Sequence, residues 1–348
     1  MPLATVILAA GLGTRMKSTT AKVLHRICGR ALCEYPVELS RTLGADRTIL
    51  ILGHQAQAVE QHIAARFGVG AVQVALQTEQ RGTGHAVQQA LPLLEGFSGQ
   101  VLILYGDTPL LTARAIGALV AAGQDRHLAL IATRPADPTG YGRLVREGGR
   151  LARVVEERDC TPEERRIPEV NAGFYVVEVS FLRQALANLS PNNAQGELYL
   201  TDIVAQGAAR GEIAVVEAPF EEVQGINDRV DLARAEAIMR RRINEGHLRA
   251  GVALRHPETT FILGHSGALQ SEQALRFADR YPNTYFELSC LGLTDLKRVL
   301  DTVPRDRILY GTDFPFYHQA LTLARVLICT EGDHELRRMV LHDNAAAL

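Results

Sequence analysis

Two glycines, two cations and a carboxylate stand where phosphate chemistry would want them. An apolar run at residues 5–9 opens into Gly11-Leu12-Gly13-Thr14-Arg15, and Lys22 follows a short way on. Glycines let a backbone approach a phosphate closely, while its N–H groups and nearby cations neutralise the charge. Two familiar nucleotide loops do not fit. A dinucleotide fingerprint wants a third glycine where Met16 stands, and a Walker loop wants glycine before its lysine, where Met16 again stands. The same residues also fit a tight strand-to-helix turn with two solvated cations, and both readings stay open. Asp107 follows a second apolar run, residues 101–105. Its carboxylate is therefore expected at the carboxyl end of a strand, where α/β sheets bind ligands. An Asp before Thr108-Pro109 also suits a plain turn.

Those residues need strands that end where they begin. Short β-branched or apolar runs recur at 5–9, 47–52, 72–76, 101–105 and 127–132, with helical patterns at 56–67 and 84–94 between them. Strand, helix, strand in sequence predicts an α/β fold with a mainly parallel sheet covered on both faces. From Asn227 the pattern changes to one polar, Arg-rich helix over 228–247, capped by Asp228 or Asn227. A proline-marked stretch, 256–260, precedes a second strand-rich module that starts near Phe261.

The chain has 348 residues, 47% hydrophobic and 22% charged, which is ordinary globular composition for two or three domains. Disordered, collagenous and disulfide-scaffold classes are excluded. A net charge of −2 without a basic block argues against nucleic-acid and acidic-membrane partners. No apolar run nears the ~20 residues of a membrane span. The N-terminus reads directly into a strand, so no secretory signal is expected. Cys28, Cys33, Cys160, Cys290 and Cys329 are scattered without zinc spacing, which suits reduced thiols in the cytoplasm.

Several segments, taken in order, carry a family resemblance. They are Leu8-Ala9-Ala10-Gly11-Leu12-Gly13-Thr14-Arg15-Met16, Lys22-Val23-Leu24, the stretch from Gln77 to Ala86 and Tyr105-Gly106-Asp107-Thr108-Pro109-Leu110. Gly140-Tyr141-Gly142-Arg143, Val155-Glu156-Glu157, Asn171-Ala172-Gly173, the run 192–197 with Thr201-Asp202, and Gly225-Ile226-Asn227 complete the set. Through about residue 262 the chain resembles the sugar-nucleotide pyrophosphorylases. Within them it is most similar to the uridyltransferase half of bifunctional N-acetylglucosamine-1-phosphate uridyltransferase/glucosamine-1-phosphate acetyltransferases.

The resemblance implies a Rossmann-like (GT-A-like) nucleotidyltransferase domain over residues 1–227 and a helical arm over 228–262. It implies a cytoplasmic enzyme that transfers uridylyl from UTP to N-acetylglucosamine 1-phosphate, giving UDP-N-acetylglucosamine for cell-envelope precursors such as peptidoglycan. By the same resemblance Leu8, Ala9, Ala10 and Gly11 line the uridine end, and Gln77, Gly82 and Thr83 recognise uracil. Arg15 and Lys22 bind the triphosphate and stabilise charge as the α-phosphorus is attacked. Tyr105, Gly106 and Asn227 join the substrate-binding set, and Gly142, Glu156 and Asn171 hold the N-acetylglucosamine part. Asp107 and Asn227 ligate Mg²⁺, and a carboxylate with an amide oxygen suits that hard cation. No general base is expected, because a phosphomonoester oxygen is already nucleophilic. Each residue also has a plainer use: Asn227 as a helix cap, Glu156 as a solvated strand-edge group, His85 as helix-start packing. One departure stands in the phosphate loop, where Ala21 replaces the proline usual before the lysine.

The tail departs further. No hexapeptide repeat of a left-handed β-helix follows residue 260. Acetyltransferase activity and β-helix trimerisation are therefore expected to be absent. Instead Phe261-Ile262-Leu263-Gly264-His265-Ser266-Gly267, the run 283–289, and Arg307-Ile308-Leu309-Tyr310-Gly311-Thr312-Asp313-Phe314-Pro315 resemble the last third of a metal-dependent (β/α)₈ amidohydrolase. A partial barrel fragment is implied over 263–348, with a chimeric junction at 260–264. In that family a His and an Asp at late strand ends serve the metal, and His265 and Asp313 match them. Two ligands fall short of the three a catalytic zinc wants. His318, His334 and His342 lack ligand spacing and read as surface residues. Three alternatives stay open: another sugar-1-phosphate nucleotidyltransferase, a metal-dependent hydrolase through the tail, or an inactive chimera.

Overall fold

The computed structural model describes residues 1–249, 261–267, 271–281, 284–313, 316 and 318–347. The proline-marked stretch 256–260, which includes the first residue of the expected junction at 260–264, and Phe314-Pro315 lie outside the described residues. The chain divides into two compact units, Met1–Ile238 and Met239–Leu348.

In the first unit nine strands form one sheet: β1 (Leu3–Ala9), β2 (Arg47–Leu52), β3 (Gln73–Leu76), β4 (Gln100–Tyr105), β5 (Leu128–Thr133), β6 (Arg143–Glu147), β7 (Arg150–Val155), β8 (Val170–Glu178) and β9 (Ala214–Glu217). The main path runs β9-β5-β8-β4-β1-β2-β3, with β6 attached to β8 and β7 to β6. β1 pairs parallel with β2 and β4, β2 with β3, and β9 with β5. β8 alone on this path runs antiparallel, to β4 and to β5.

The strands are apolar on both faces because both faces are covered. Along β1, Ala4, Val6 and Leu8 belong to one apolar cluster, and Leu3 and Ile7 to the other. Helices Glu34–Thr42, Ala56–Phe67 and Ala113–Ala122 cover the Ile7 face through Val37, Val59 and Ile116. Helices Thr83–Gln88, Val179–Ala187 and Asp202–Ala208 cover the Val6 face through Val87, Leu182 and Ile203. Each such aliphatic side chain removed from water contributes about 1.5–3 kcal/mol.

Chain order sets the position of the site. From β1 the chain steps outward to β2 and β3, then returns to β4 on the other flank of β1. That reversal opens a crevice at the carboxyl ends of β1 and β4, the place where open α/β sheets bind ligands. The helix expected over 84–94 stops at Gln88, and a separate turn, Pro92–Leu94, follows. Pro92 has no N–H to continue the ladder. At the start of helix Arg229–Arg249 the cap is Asp228, whose Oδ1 accepts from Val230 N at 2.8 Å and Asp231 N at 2.9 Å. Those backbone N–H groups hold Asp228 below the usual carboxylate range.

The second unit has a smaller parallel sheet, β10 (Phe261–Leu263), β11 (Thr284–Glu287) and β12 (Ile308–Leu309), in that order. Helices Ser271–Arg280 and Leu293–Thr302 stand between successive strands in sequence. Phe286, Leu288, Leu296, Val299, Ile308 and Val326 form its apolar core. Among the described residues no helix is long and apolar enough to cross a membrane.

Candidate functional site

The crevice between β1 and β4 is a cleft. Its wall includes Leu8, Ala9, Ala10, Gly11, Lys22, Gln77, Gly82, Thr83, Tyr105 and Asp107. A second cleft carries Gly142, Glu156 and Asn171, and shares Thr83, Tyr105 and Asp107 with the first. Two binding spaces thus meet at one carboxylate.

The loop after β1 turns at a glycine whose position is strained and crowded for any side chain. Gly13 has φ +62°, and a Cβ there would stand 2.6 Å from Lys22 Cβ. Its bareness lets the Lys22 stem cross the loop, and Lys22 Nζ pairs with Asp107 Oδ2. Both side chains are largely buried, at 14% and 20% exposed. Arg15 lines neither cleft but donates from Nη2 to Asn227 Oδ1 at 2.9 Å. Asn227 is not the helix cap, since Asp228 is, so its side chain faces the loop instead. The Asp107 carbonyl accepts from Ile226 N at 2.9 Å, which draws the 225–227 segment to the end of β4. The nearest point to a Cβ at Gly225 is Asp107 Oδ1, 3.7 Å away, so that oxygen is left clear. The two cations expected on a triphosphate therefore hold the two oxygens expected on a metal. Carboxylate and amide oxygens fit Mg²⁺, which takes the rest of its shell from water and phosphate.

On the Gln77 side of the first cleft, Gln77 is buried and its Nε2 donates to Gly82 O at 3.0 Å. Gly82, at φ +101°, would put a Cβ 2.7 Å from Leu198 O. That loop is clamped by Gly84 N to Leu198 O and Leu198 N to Arg81 O, both at 2.8 Å. Leu200 N adds a bond to Thr83 Oγ1 at 3.1 Å. Gly106 lines neither cleft; its N–H donates to Leu8 O at 2.9 Å and joins the two strand ends.

In the second cleft Glu156 accepts from Thr201 Oγ1 at 2.9 Å. Burial, then Asp202, Asp159 and Glu197, pushes its carboxyl above the ordinary range despite that bond. It is thus no solvated edge group. Asn171 Nδ2 donates to Tyr175 OH at 2.6 Å and Asn171 Oδ1 accepts from Gly173 N at 3.1 Å. Burial beside Glu156 and Asp107 raises the Tyr105 phenol, which stays neutral. His85 sits in helix Thr83–Gln88, its Nδ1 3.2 Å from Gln77 Nε2.

Sequence reasoning passed over Gln80, which lines the first cleft and donates to Ala10 O at 3.1 Å. It also gave no role to Glu197 in the cleft wall or to Thr201 behind Glu156. Both lie in segments already noted for their order, so the signal was present without a partner to interpret it. In the second unit His265 Nε2 and Asp313 Oδ1 lie 3.9 Å apart. Cys290, which spacing left unassigned, stands beside them.

Comparisons with known proteins follow the same division. Residues 5–196 match the MobA-like NTP transferase domain, and residues 246–348 match an amidohydrolase family. A protein of Anaeromyxobacter dehalogenans described as bifunctional protein GlmU is 49% identical over 259 residues, covering 74% of this chain and 53% of its own. Its namesake from Pelobacter propionicus is 46% identical over 265 residues, covering 75% of this chain and 57% of its own. The chain spans about half the length of these curated relatives. A Bacillus anthracis structure assigned as a glucose-1-phosphate thymidylyltransferase matches the fold with a TM-score of 0.53 at 21% identity, covering 68% of this chain and 94% of its own.

Proposed function

The chain belongs to the MobA-like NTP transferase family, and on that premise we propose that it joins UTP to N-acetylglucosamine 1-phosphate, releasing pyrophosphate. The observation that carries the proposal is the pair of clefts sharing Thr83, Tyr105 and Asp107. One offers a glycine-rich backbone edge beside Lys22, and the other a buried carboxylate with hydroxyl and amide partners. The GlmU relatives and the order of the matched segments support the uridine and N-acetylglucosamine assignments.

In the reaction a phosphate oxygen of the sugar attacks the α-phosphorus of UTP. A new P–O bond forms as the bond to the bridging oxygen of the β-phosphate breaks, and pyrophosphate leaves with that electron pair. Lys22 and Arg15 turn from Asp107 and Asn227 toward the triphosphate and stabilise the developing charge. Asp107 and Asn227 then would hold Mg²⁺, which supplies charge neutralisation to the phosphates. The backbone at Leu8–Gly11 and the Gln77–Gly82 loop orient the nucleoside. Glu156 accepts hydroxyl hydrogens from the sugar. No residue needs to abstract a proton, so catalysis is alignment and electrostatics.

Two expected results follow from this geometry. Glu156 binds sugar as its anion, and its raised pKa means it takes up a proton at higher pH than an ordinary glutamate, about 4.3. KM for the sugar phosphate should therefore rise as pH falls through that raised value, and Glu156→Gln should flatten the profile. A wild-type KM that does not vary on acidification would count against the role. Gly13→Ala should misplace Lys22 and cost about 10²-fold in kcat with the fold retained. Pyrophosphate release compared with the melting curve separates the two effects; a near wild-type rate would show that the loop yields.

The acceptor is tested directly by offering N-acetylglucosamine 1-phosphate and glucose 1-phosphate together with UTP and separating the products. UDP-N-acetylglucosamine should dominate. A preference for UDP-glucose would move the enzyme to another sugar-1-phosphate acceptor.

A further inference from the structure

Among the described residues of the second unit, the carboxyl ends of the three strands of its sheet converge on one spot. His265 follows β10, Cys290 follows β11 and Asp313 follows β12. One ligand-type atom from each lies within 4.8 Å of the other two. We propose that these three side chains bind a zinc ion with the fourth position open. The tail's resemblance supplies only the His and Asp positions; Cys290 is the third ligand that it lacks. The inference does not depend on nucleotidyl transfer.

The spacing approaches that of one ion: the Cys290–Asp313 separation already matches, and the ligands need only draw together slightly around it. Tetrahedral zinc, with N and O near 2.0–2.2 Å and S near 2.3 Å, sets neighbouring ligand atoms about 3.3–3.6 Å apart. Cys290 Sγ stands 3.3 Å from Asp313 Oδ2, and His265 Nε2 stands 3.9 Å from Asp313 Oδ1. The side chains of His265 and Asp313 are 44% and 28% exposed, so an ion can reach them.

The histidine is oriented for this task. The Ser289 hydroxyl donates to Glu287 Oε2 at 2.7 Å, which leaves its oxygen to accept from His265 Nδ1, also at 2.7 Å. Glu287 further accepts from the backbone N–H groups of His265, at 2.9 Å, and Ser289, at 2.7 Å. The proton therefore sits on Nδ1, and Nε2 presents its lone pair on the Asp313 side. This is how metal-binding histidines are usually fixed, through a second partner that sets the tautomer. Gly311 makes room for that partner, since a Cβ there would lie 1.8 Å from Glu287 Oε1. His265, Cys290 and Asp313 have φ of 59°, 61° and 54°, the left-handed region that Asp and His enter more readily than most L residues.

The donor set selects the ion class. One imidazole nitrogen, one sulfur and one carboxylate oxygen suit a borderline-soft cation and not Mg²⁺ or Ca²⁺. Three protein ligands with a free position is also the layout of catalytic rather than structural zinc.

The test uses the full chain, stripped of metal with a chelator and titrated with Co²⁺ as probe. A near-ultraviolet thiolate-to-cobalt band should grow to one equivalent and disappear when Zn²⁺ is added. Cys290→Ala should abolish it, and Cys329→Ala should leave it intact. Ser289→Ala, which removes the hydroxyl that His265 Nδ1 bonds and leaves all three ligands in place, should weaken zinc binding by about 10–100-fold. A second arm needs no variant: Zn²⁺ should slow alkylation of Cys290 in the wild type by about tenfold or more, while Cys329 reacts at an unchanged rate. Absence of the thiolate band in the wild type, its survival in Cys290→Ala, or zinc-independent alkylation of Cys290 would overturn the proposal.

Discussion

Asp107→Asn is expected to lower kcat by about 10²–10³-fold, the scale found when a preorganised electrostatic group is removed from a reacting centre. The substitution keeps size and removes charge, so packing at the end of β4 is unchanged. What is lost is the anion facing both Lys22 and the clear space beside Gly225. The variant should still fold, and because Lys22 then lacks the charge of its largely buried partner, the melting curve is recorded beside the rate so that lost stability is not read as lost chemistry. Saturating Mg²⁺ should not restore the rate, since Asn offers a neutral oxygen where the proposal requires a carboxylate. A variant that turns over at the wild-type rate would remove Asp107 from the site.

Lys22→Met should separate two roles that a simple loss of activity would confuse. Turnover is expected to fall by about 10²-fold or more, because the triphosphate loses its best-placed cation. Divalent-cation binding to the nucleotide-free protein is expected to move the other way. Lys22 neutralises Asp107, and opposite charges at about 4 Å attract by roughly 4 kcal/mol at an effective dielectric near 20. With the lysine gone that carboxylate is open to a cation. Mn²⁺ titration should show tighter binding to Lys22→Met than to the wild type. Weaker or equal binding would show that Lys22 does not restrain Asp107. Arg15 and Asn227 form the parallel pair, so on the proposed roles the metal ligands are held by the phosphate ligands. On that proposal nucleotide would exchange these partners by competing for the cations.

Much of this site was legible because it follows strands. The loop from Gly11 to Arg15 succeeds β1 and Asp107 succeeds β4, so an alternating strand–helix pattern located both before any contact was seen. The α/β class with a mainly parallel sheet was legible for the same reason. Strand direction was not. Val170–Glu178 is apolar enough for a central strand, yet nothing local says that it runs antiparallel between β4 and β5. Long-range partners were also hidden. Glu156 reads as a strand-edge acid until Thr201, 45 residues later, closes over it. Cys290 was dismissed because zinc spacing rules look for ligands near each other in sequence. Here His265, Cys290 and Asp313 come from three strand ends, 25 and 23 residues apart, and only the parallel sheet aligns them. Cap identity turned on one position: Asp228 takes the helix end and so frees Asn227 for Arg15.

The most direct test of the central proposal is pyrophosphate release from UTP, N-acetylglucosamine 1-phosphate and Mg²⁺ by the full chain, with acetyl-CoA consumption followed in the same reaction. The proposal predicts pyrophosphate and UDP-N-acetylglucosamine in equal amounts, strict dependence on the sugar phosphate, and no acetyl-CoA consumed. No pyrophosphate from the wild type under these conditions, or release that does not depend on N-acetylglucosamine 1-phosphate, would contradict it.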